Sequence, residues 1–287
     1  MKQRIKDYIM MTKPRLISLV LLTTLAGFFL GSNGSPDLKL LLTTLIGSSL
    51  VACGALVLNQ YIERDVDALM KRTSNRPLPS KRLNPVNALI FGIVLSLIGL
   101  IINFFFINTL TAALALLSLT SYLFVYTPMK KISALCILIG AVPGALPIAG
   151  GWVAATGSFD FSATILFSIL FFWQIPHSLA IAWLYKSDYE RAGLKLLPDF
   201  SEDNNAVGHQ VLLNSMALLP IGLIPGVFGM TGHIHFFTAL ILGIGFVLYA
   251  AKFARNRSIT SAKKLLYASY LYIPFQLGVM SFDQITN

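Results

Sequence analysis

The sequence predicts an all-α fold, a polytopic membrane bundle of about nine transmembrane helices, and three observations support this prediction. Of 287 residues, 55% are hydrophobic and 12% are charged, which is about half the charge of a soluble domain. Nine uncharged stretches reach roughly the 20 residues that a helix needs to cross a bilayer core. The basic residues are confined almost entirely to alternate loops between these stretches.

The bounds of the nine stretches follow from hydropathy and charge. They lie near 16–34, 40–60, 86–107, 109–127, 133–155, 161–184, 206–229, 234–251 and 265–282. Very short turns join the third stretch to the fourth and the seventh to the eighth. Neither an internal repeat nor a low-complexity tract divides the sequence, so residues 1–287 are expected to form one domain.

Two stretches carry features that bear on their structure. The first follows a basic N-terminus, as a signal peptide would. However, Pro14 and Arg15 lie directly against it and eight more stretches follow, so we expect it to be retained as a membrane helix. The fifth contains Pro143 and Pro147, which predict a kink. The small residues of 140–151 predict close contact with neighbouring helices.

The placement of charge predicts the orientation of the bundle. If nine helices alternate in direction, one side carries the N-terminus and every second loop. That side collects 21 of the 22 Lys and Arg residues, and Lys39 falls on the other side. Because basic loops stay in the cytoplasm, we expect a cytoplasmic N-terminus and a C-terminus outside. Without an Arg- and Ser-rich transit extension, a bacterial plasma (inner) membrane is favoured. The same rule accounts for the net charge of +10 without a nucleic-acid partner.

The acidic residues predict where the chemistry takes place. No Asp, Glu, Lys or Arg lies in the middle of a predicted helix, which disfavours a proton-coupled transporter or an ion channel with a charged pathway. Of twelve acids, three lie at 63–67 and five at 188–203, in loops of the basic side. We therefore expect the active site at the cytoplasmic mouth of the bundle.

The first acidic loop places oxygen-bearing side chains at helical spacing. If the second helix continues past Asn59, then Asn59, Glu63, Asp67 and Lys71 lie on one face, because residues four apart are neighbours on a helix. Mg²⁺ takes carboxylates together with substrate phosphates, so Asn59, Glu63 and Asp67 are candidate catalytic metal ligands. Asp65 points away from this face on an ideal helix and is a secondary candidate.

Basic residues follow these acids. Arg72, Arg76, Lys81 and Arg82 are placed to hold phosphate charge. For Lys81 and Arg82 the alternative is that they only fix the topology.

The second acidic loop brings further acids and bases to the same side of the membrane. Asp188 is the candidate for another Mg²⁺ ligand, and Lys186 and Arg191 are candidate phosphate donors. The alternative is an interfacial belt of tyrosines and charges.

These motifs resemble those of the intramembrane aromatic prenyltransferase superfamily. The resemblance rests on the spacing of Asn59, Glu63 and Asp67, on the acidic second loop, and on the Tyr-Thr-Pro-Met-Lys-Lys run at 126–131. Residues 63–77, the Pro-His pair at 176–177 and residues 185–193 are similar to the heme-farnesylating branch, the heme O synthases. The similarity covers most of the chain and is strongest at 59–80 and 173–198. Two positions depart from the pattern, since Ala192 stands where the second motif usually has an acid and Glu63 where the heme branch often has Asp.

The resemblance implies a reaction and its participants. Farnesyl from farnesyl diphosphate would be transferred to a vinyl group of heme B, with addition of water and with Mg²⁺ as cofactor, giving heme O and diphosphate. A heme A synthase or a terminal oxidase is the expected partner, and the lipid bilayer the surroundings. The implied substrate-binding residues are Arg72, Arg76, Tyr126, Lys130, Lys131, His177, Tyr185, Lys186 and Arg191.

Some alternatives stay open. The acceptor could be another aromatic compound, such as a hydroxybenzoate, and a transporter or an assembly subunit of a respiratory oxidase are further alternatives. His177 would face the heme iron, line the pocket or make a structural hydrogen bond. Trp173, Gln174 and Trp183 are expected to pack or to anchor their helix rather than to react.

Overall fold

A computed structural model describes residues 2–197 and 205–284. Three acids of the second loop, Asp199, Glu202 and Asp203, lie outside the described residues. The helices in chain order are α1 Lys2–Met11, α2 Pro14–Gly31, α3 Leu38–Ile62, α4 Arg64–Asp67, α5 Pro85–Phe106, α6 Thr109–Thr120, a π-helical segment Ser121–Tyr126, α7 Thr127–Met129, α8 Cys136–Thr156, α9 Phe161–Leu184, α10 Lys186–Arg191, α11 Ala206–Val227, α12 His233–Asn256 and α13 Ile259–Phe282.

Nine helices of the described part are long and apolar enough to cross a membrane. They are α2, α3, α5, the continuous run Thr109–Met129, α8, α9, α11, α12 and α13. All nine predicted stretches are thereby confirmed. The largest difference is at α13, which begins at Ile259 because Ser258 caps it by accepting from the backbone amide of Ser261. Lys263 and Lys264 lie inside this helix, where long side chains can still reach water.

Close contact between α2 and α8 fixes the centre of the bundle. A Cβ atom at Gly27 would collide with the backbone carbonyl of Ile148, and one at Gly151 with the carbonyl of Thr24. Without side chains at these two positions the backbones approach directly, as is common in membrane bundles. The glycines predicted to allow close packing therefore do so at Gly151, and α8 also contacts α6 and α9.

The end of the bundle that carries the N-terminus is held together by polar contacts. Asp7 of α1 is buried, and its Oδ1 lies 3.0 Å from Nε of Arg82. The side chain of Gln60 in α3 donates a hydrogen bond of 2.6 Å to the carbonyl of Met11. These contacts fix α1 and the 68–84 loop against α3. Arg82 is therefore engaged by an acid of its own chain, while Lys81 is exposed in a left-handed backbone conformation with φ of 58°.

The α2–α8 contact can be tested with two adjacent glycines. Gly151→Ala should lower the free energy of unfolding by about 1–3 kcal/mol, because the new methyl group forces packed backbones apart. Gly150→Ala is the matched control, since a Cβ there meets nothing within 4 Å and alanine favours the helix. Thermal unfolding in detergent measures both. Equal midpoints for the two variants would contradict the proposed contact.

Candidate active site

The acidic loops and three tyrosines enclose a polar pocket of about 150 Å³ at the basic end of the bundle. Its charged and amide-bearing lining residues are Lys13, Asn59, Glu63, Asp67, Arg72, Arg76 and Lys130. These residues come from the start of α2, the end of α3, the 63–76 segment and the loop after α7. The structure therefore gathers in one pocket charged residues that are up to 117 positions apart in the sequence.

The predicted spacing of four holds as far as Asp67. Although α3 ends at Ile62, the amide of Glu63 donates to the carbonyl of Asn59 at 2.9 Å, and the amide of Asp67 to that of Glu63 at 2.7 Å. The helical path is thus continued, and Asn59, Glu63 and Asp67 all line the pocket. Lys71, expected on the same face, is exposed because α4 ends at Asp67.

Asp65 lies on the opposite side of this short helix. Its side chain is 86% exposed and its Oδ2 is 3.8 Å from Arg64. This matches the direction expected from an ideal helix, and Asp65 does not line the pocket.

Each pocket carboxylate is paired with a cation. Nζ of Lys130 lies 2.8 Å from Oε1 and 3.1 Å from Oε2 of Glu63. Nη1 of Arg76 lies 2.6 Å from Oδ2 of Asp67, whose side chain is 1% exposed. Burial lowers the pKa of Lys130, but Glu63 together with Tyr122 and Tyr189 outweighs burial, and the net pKa is raised. Each carboxylate is therefore neutralised by its own cation.

Lys13 is a pocket residue that the sequence analysis counted only toward topology. Burial, with a further contribution from the cations Arg76 and Lys130, lowers its pKa to about 7 in spite of the opposing carboxylates of Asp67 and Glu63. Lys13 immediately precedes Pro14 at the start of α2, and its backbone is left-handed, with φ of 51°. The sequence contained one signal for this role. A lysine directly before an apolar stretch lies at the membrane boundary, where the pocket is found.

The second acidic loop meets the first through Asp188 and Arg72. Oδ1 of Asp188 accepts from Nη1 of Arg191 at 3.1 Å, and Oδ2 accepts from the backbone amide of Arg72 at 3.3 Å. The guanidinium of Arg72 lies 4.9 Å from the ring centre of Tyr185 and donates to the hydroxyl of Tyr189 at 3.2 Å. Arg72 and Tyr189 line the pocket, whereas Asp188 lies behind them and holds them in place.

Five residues expected at the substrate do not line the pocket in this structure. Tyr185 stacks on Arg72, and Arg191 pairs with Asp188. Lys131 is exposed, next to the buried Lys130. Lys186 lies 3.6 Å from Glu190, one turn along α10. His177 packs against α13, where its Nδ1 is 2.7 Å from Oγ of Ser269. For His177 this is the hydrogen-bonded arrangement that the sequence left open as an alternative.

The donor atoms of the pocket suit Mg²⁺. Nδ2 of Asn59 donates to the hydroxyl of Thr127 at 3.0 Å, which leaves its Oδ1 as a ligand atom beside the carboxylates of Glu63 and Asp67. Across the described chain, no three His, Cys, Asp or Glu side chains come together as a metal site. Two carboxylates and an amide oxygen nevertheless match Mg²⁺, which completes its shell with water and substrate phosphate.

An apolar cavity opens directly below the polar pocket. It has a volume of about 370 Å³ and shares Arg72, Tyr122, Tyr126 and Tyr189 with the pocket. A smaller void of about 60 Å³ continues it between α2, α3, α6 and α8. The arrangement fits an amphiphile with a polyanionic head and a long apolar tail.

Sequence comparison gives this geometry a context. The pattern of the UbiA prenyltransferase family matches residues 20–273. A protein of Solibacter usitatus is 41% identical over 97% of this chain and 99% of its own length. A protein of Aquifex aeolicus is 39% identical over 98% of this chain and 96% of its own length. Both relatives bear the name protoheme IX farnesyltransferase.

Structural comparison shows that the fold is shared. A structure of digeranylgeranylglyceryl phosphate synthase superposes with a TM-score of 0.83 at 17% identity and covers 98% of both chains. A UbiA homolog from Archaeoglobus fulgidus bound to GPP and Mg²⁺ superposes with a TM-score of 0.71 at 19% identity. This superposition covers 96% of this chain and 99% of the homolog.

Lys13 should make anion binding depend on pH. With its pKa near 7, Lys13 is mostly charged at about pH 6 and mostly neutral at about pH 8. Inorganic diphosphate favours the charged form, so its affinity should fall as the pH rises through this window, with proton uptake on binding. Calorimetric titrations in two buffers of different ionisation enthalpy measure the uptake. Lys13→Arg stays charged throughout, so an unchanged pH profile in this variant would contradict the assignment.

Proposed function

The chain belongs to the UbiA prenyltransferase family, and on that premise we propose that it is a protoheme IX farnesyltransferase. It transfers the farnesyl group of farnesyl diphosphate to a vinyl group of heme B, adds water, and releases heme O and diphosphate. The supporting observation is the polar pocket of paired acids and bases directly above an apolar cavity. The heme acceptor is supported by the names of relatives at 41% and 39% identity over nearly the whole chain.

The diphosphate lies among the cations of the pocket. Lys13, Arg72, Arg76 and Lys130 line it from three directions, so they can surround the phosphate oxygens as negative charge develops on the leaving group. Tyr126 lies below Lys130, with the Nζ atom 4.6 Å from the ring centre, and marks the boundary with the apolar cavity.

Asn59, Glu63 and Asp67 are proposed to hold Mg²⁺. Asp188 lies behind Arg72 and would become a further ligand only by exchanging its contact with Arg191 for the ion. When bound, Mg²⁺ neutralises part of the diphosphate charge and so favours cleavage of the allylic C–O bond. On binding, Glu63 would release Lys130 and Asp67 would release Arg76, so that these cations turn to the phosphate oxygens. This exchange explains why the two carboxylates are paired before substrate binds.

The apolar cavity holds the farnesyl chain. Its wall includes Leu16, Val20, Leu56, Ile137 and Ile181, which exclude bulk water from an allylic cation. The contacts of Lys131, His177, Tyr185, Lys186 and Arg191 with substrate remain predictions from the sequence.

The protein crosses the membrane several times, and we place it in a bacterial plasma membrane with its N-terminus and active site on the cytoplasmic side. The basic residues support this orientation, since 21 of the 22 lie on the side of the polar pocket.

Asp67 and Asp65 provide a matched pair to test this function. Purified protein with heme B, farnesyl diphosphate and Mg²⁺ should yield a heme heavier by a farnesyl group plus the elements of water, as measured by mass analysis. Asp67→Asn should lower the rate by about 100-fold or more, because it removes a metal ligand. Asp65→Asn should retain the wild-type rate within about threefold, because the side chain of Asp65 is 86% exposed.

Two results would contradict the proposal. Wild-type turnover in Asp67→Asn would remove this carboxylate from the site. Wild-type protein that binds farnesyl diphosphate but never modifies heme would keep the prenyl site and exclude heme as the acceptor.

A further inference from the structure

Two polar side chains of α9 face the largely apolar cavity. Gln174 and Ser178 lie one turn apart on the helix and both line the 370 Å³ chamber. The sequence analysis expected Gln174 to pack, but its amide lies in the cavity wall. A polar group in apolar surroundings costs free energy unless it binds something. The diphosphate site does not involve either residue, so they need a separate explanation.

The glycines of α8 show where the Gln174 amide lies. A Cβ atom at Gly140 would come within 2.6 Å of the Tyr126 ring, and one at Gly144 would collide with the amide of Gln174. These glycines are one helical turn apart, about 6 Å. Tyr126 contacts Lys130 at the floor of the polar pocket. Gln174 therefore lies one turn deeper than this floor, close to where the head of an amphiphile gives way to its tail.

The proposed reaction requires a water molecule at this depth. The terminal vinyl carbon of heme bonds to C1 of farnesyl as the C1–O bond breaks and its electron pair leaves with diphosphate. The vinyl carbon next to the porphyrin ring is then a cation. A water oxygen bonds to that carbon, and one water proton passes to the departed diphosphate. If no water is in place, the cation instead loses a proton from the adjacent carbon and becomes an alkene.

We propose that Gln174, assisted by Ser178, positions this water, an inference that rests on the proposed function. Nε2 of Gln174 donates a long hydrogen bond of 3.5 Å to the carbonyl of Gly140, and Oε1 remains an acceptor for a water hydrogen. A water that donates to Oε1 turns its lone pair away from the amide and toward the cavity. The amide is neutral, which suits this step because the cation is reactive enough to need placement of water rather than its deprotonation.

The ratio of hydrated to unhydrated product tests this role. Gln174→Leu keeps nearly the same volume and removes the hydrogen bond to water. With heme B, farnesyl diphosphate and Mg²⁺, this variant should still form farnesylated heme, but the hydrated share relative to the alkene should fall at least about tenfold. Ser178→Ala should lower the ratio less. Gln210→Leu in α11 makes the same substitution outside the cavity and should keep the wild-type ratio.

Each outcome decides between the claims. An unchanged product ratio in an active Gln174→Leu variant overturns the positioning role and leaves the proposed function intact. If wild-type protein produces no farnesylated heme, the proposed function fails and this inference fails with it. If Gln174→Leu makes no product, Gln174→Asn and Ser178→Ala decide by the same ratio, because a packing role would slow the reaction without favouring the alkene.

Discussion

The structure depends on two pairs of opposite charge, Lys130 with Glu63 and Arg76 with Asp67, and each pair has one buried partner, Lys130 and Asp67. They join the end of α3, α4, the 68–84 loop and the loop after α7 at one pocket. Such pairs are costly to break by removing one partner, since the other charge stays buried and unpaired. They are readily exchanged, however, for partners of the same sign. In the proposed reaction, a magnesium ion would replace the cations at the carboxylates, and phosphate oxygens would replace the carboxylates at the cations.

The rest of the architecture places this pocket next to the largely apolar cavity. Close packing of α2 on α8 at Gly27 and Gly151 holds the centre of the bundle, and a cavity of about 370 Å³ remains next to the polar pocket. A diphosphate ester of an isoprenoid has the matching distribution of charge and hydrocarbon. Gln174 and Ser178 are the polar side chains that α9 contributes to the cavity wall, and we propose that they position the water that the reaction consumes.

Residues close in sequence were predictable, whereas contacts across the bundle were not. Hydropathy and charge identified the nine membrane helices of the described residues, and spacing of four brought Asn59, Glu63 and Asp67 to one face. The same spacing wrongly placed Lys71 on this face, because the helix ends at Asp67. Lys13 was missed because the pocket residues near it, Arg76 and Lys130, are 63 and 117 positions away in the sequence. Gln174 was read as a packing residue because no pattern in α9 shows which face borders a cavity.

The exchange of partners is tested most directly by binding measurements on the purified protein without heme. Thermal unfolding and calorimetry would be recorded with Mg²⁺ alone, with inorganic diphosphate alone and with both, since a ligand that binds the folded state raises its stability. Each ligand should bind weakly by itself, because it must compete with an existing ion pair, and each should raise the affinity for the other by about tenfold or more. Independent binding, with Mg²⁺ equally tight in the presence and absence of diphosphate, would contradict the exchange.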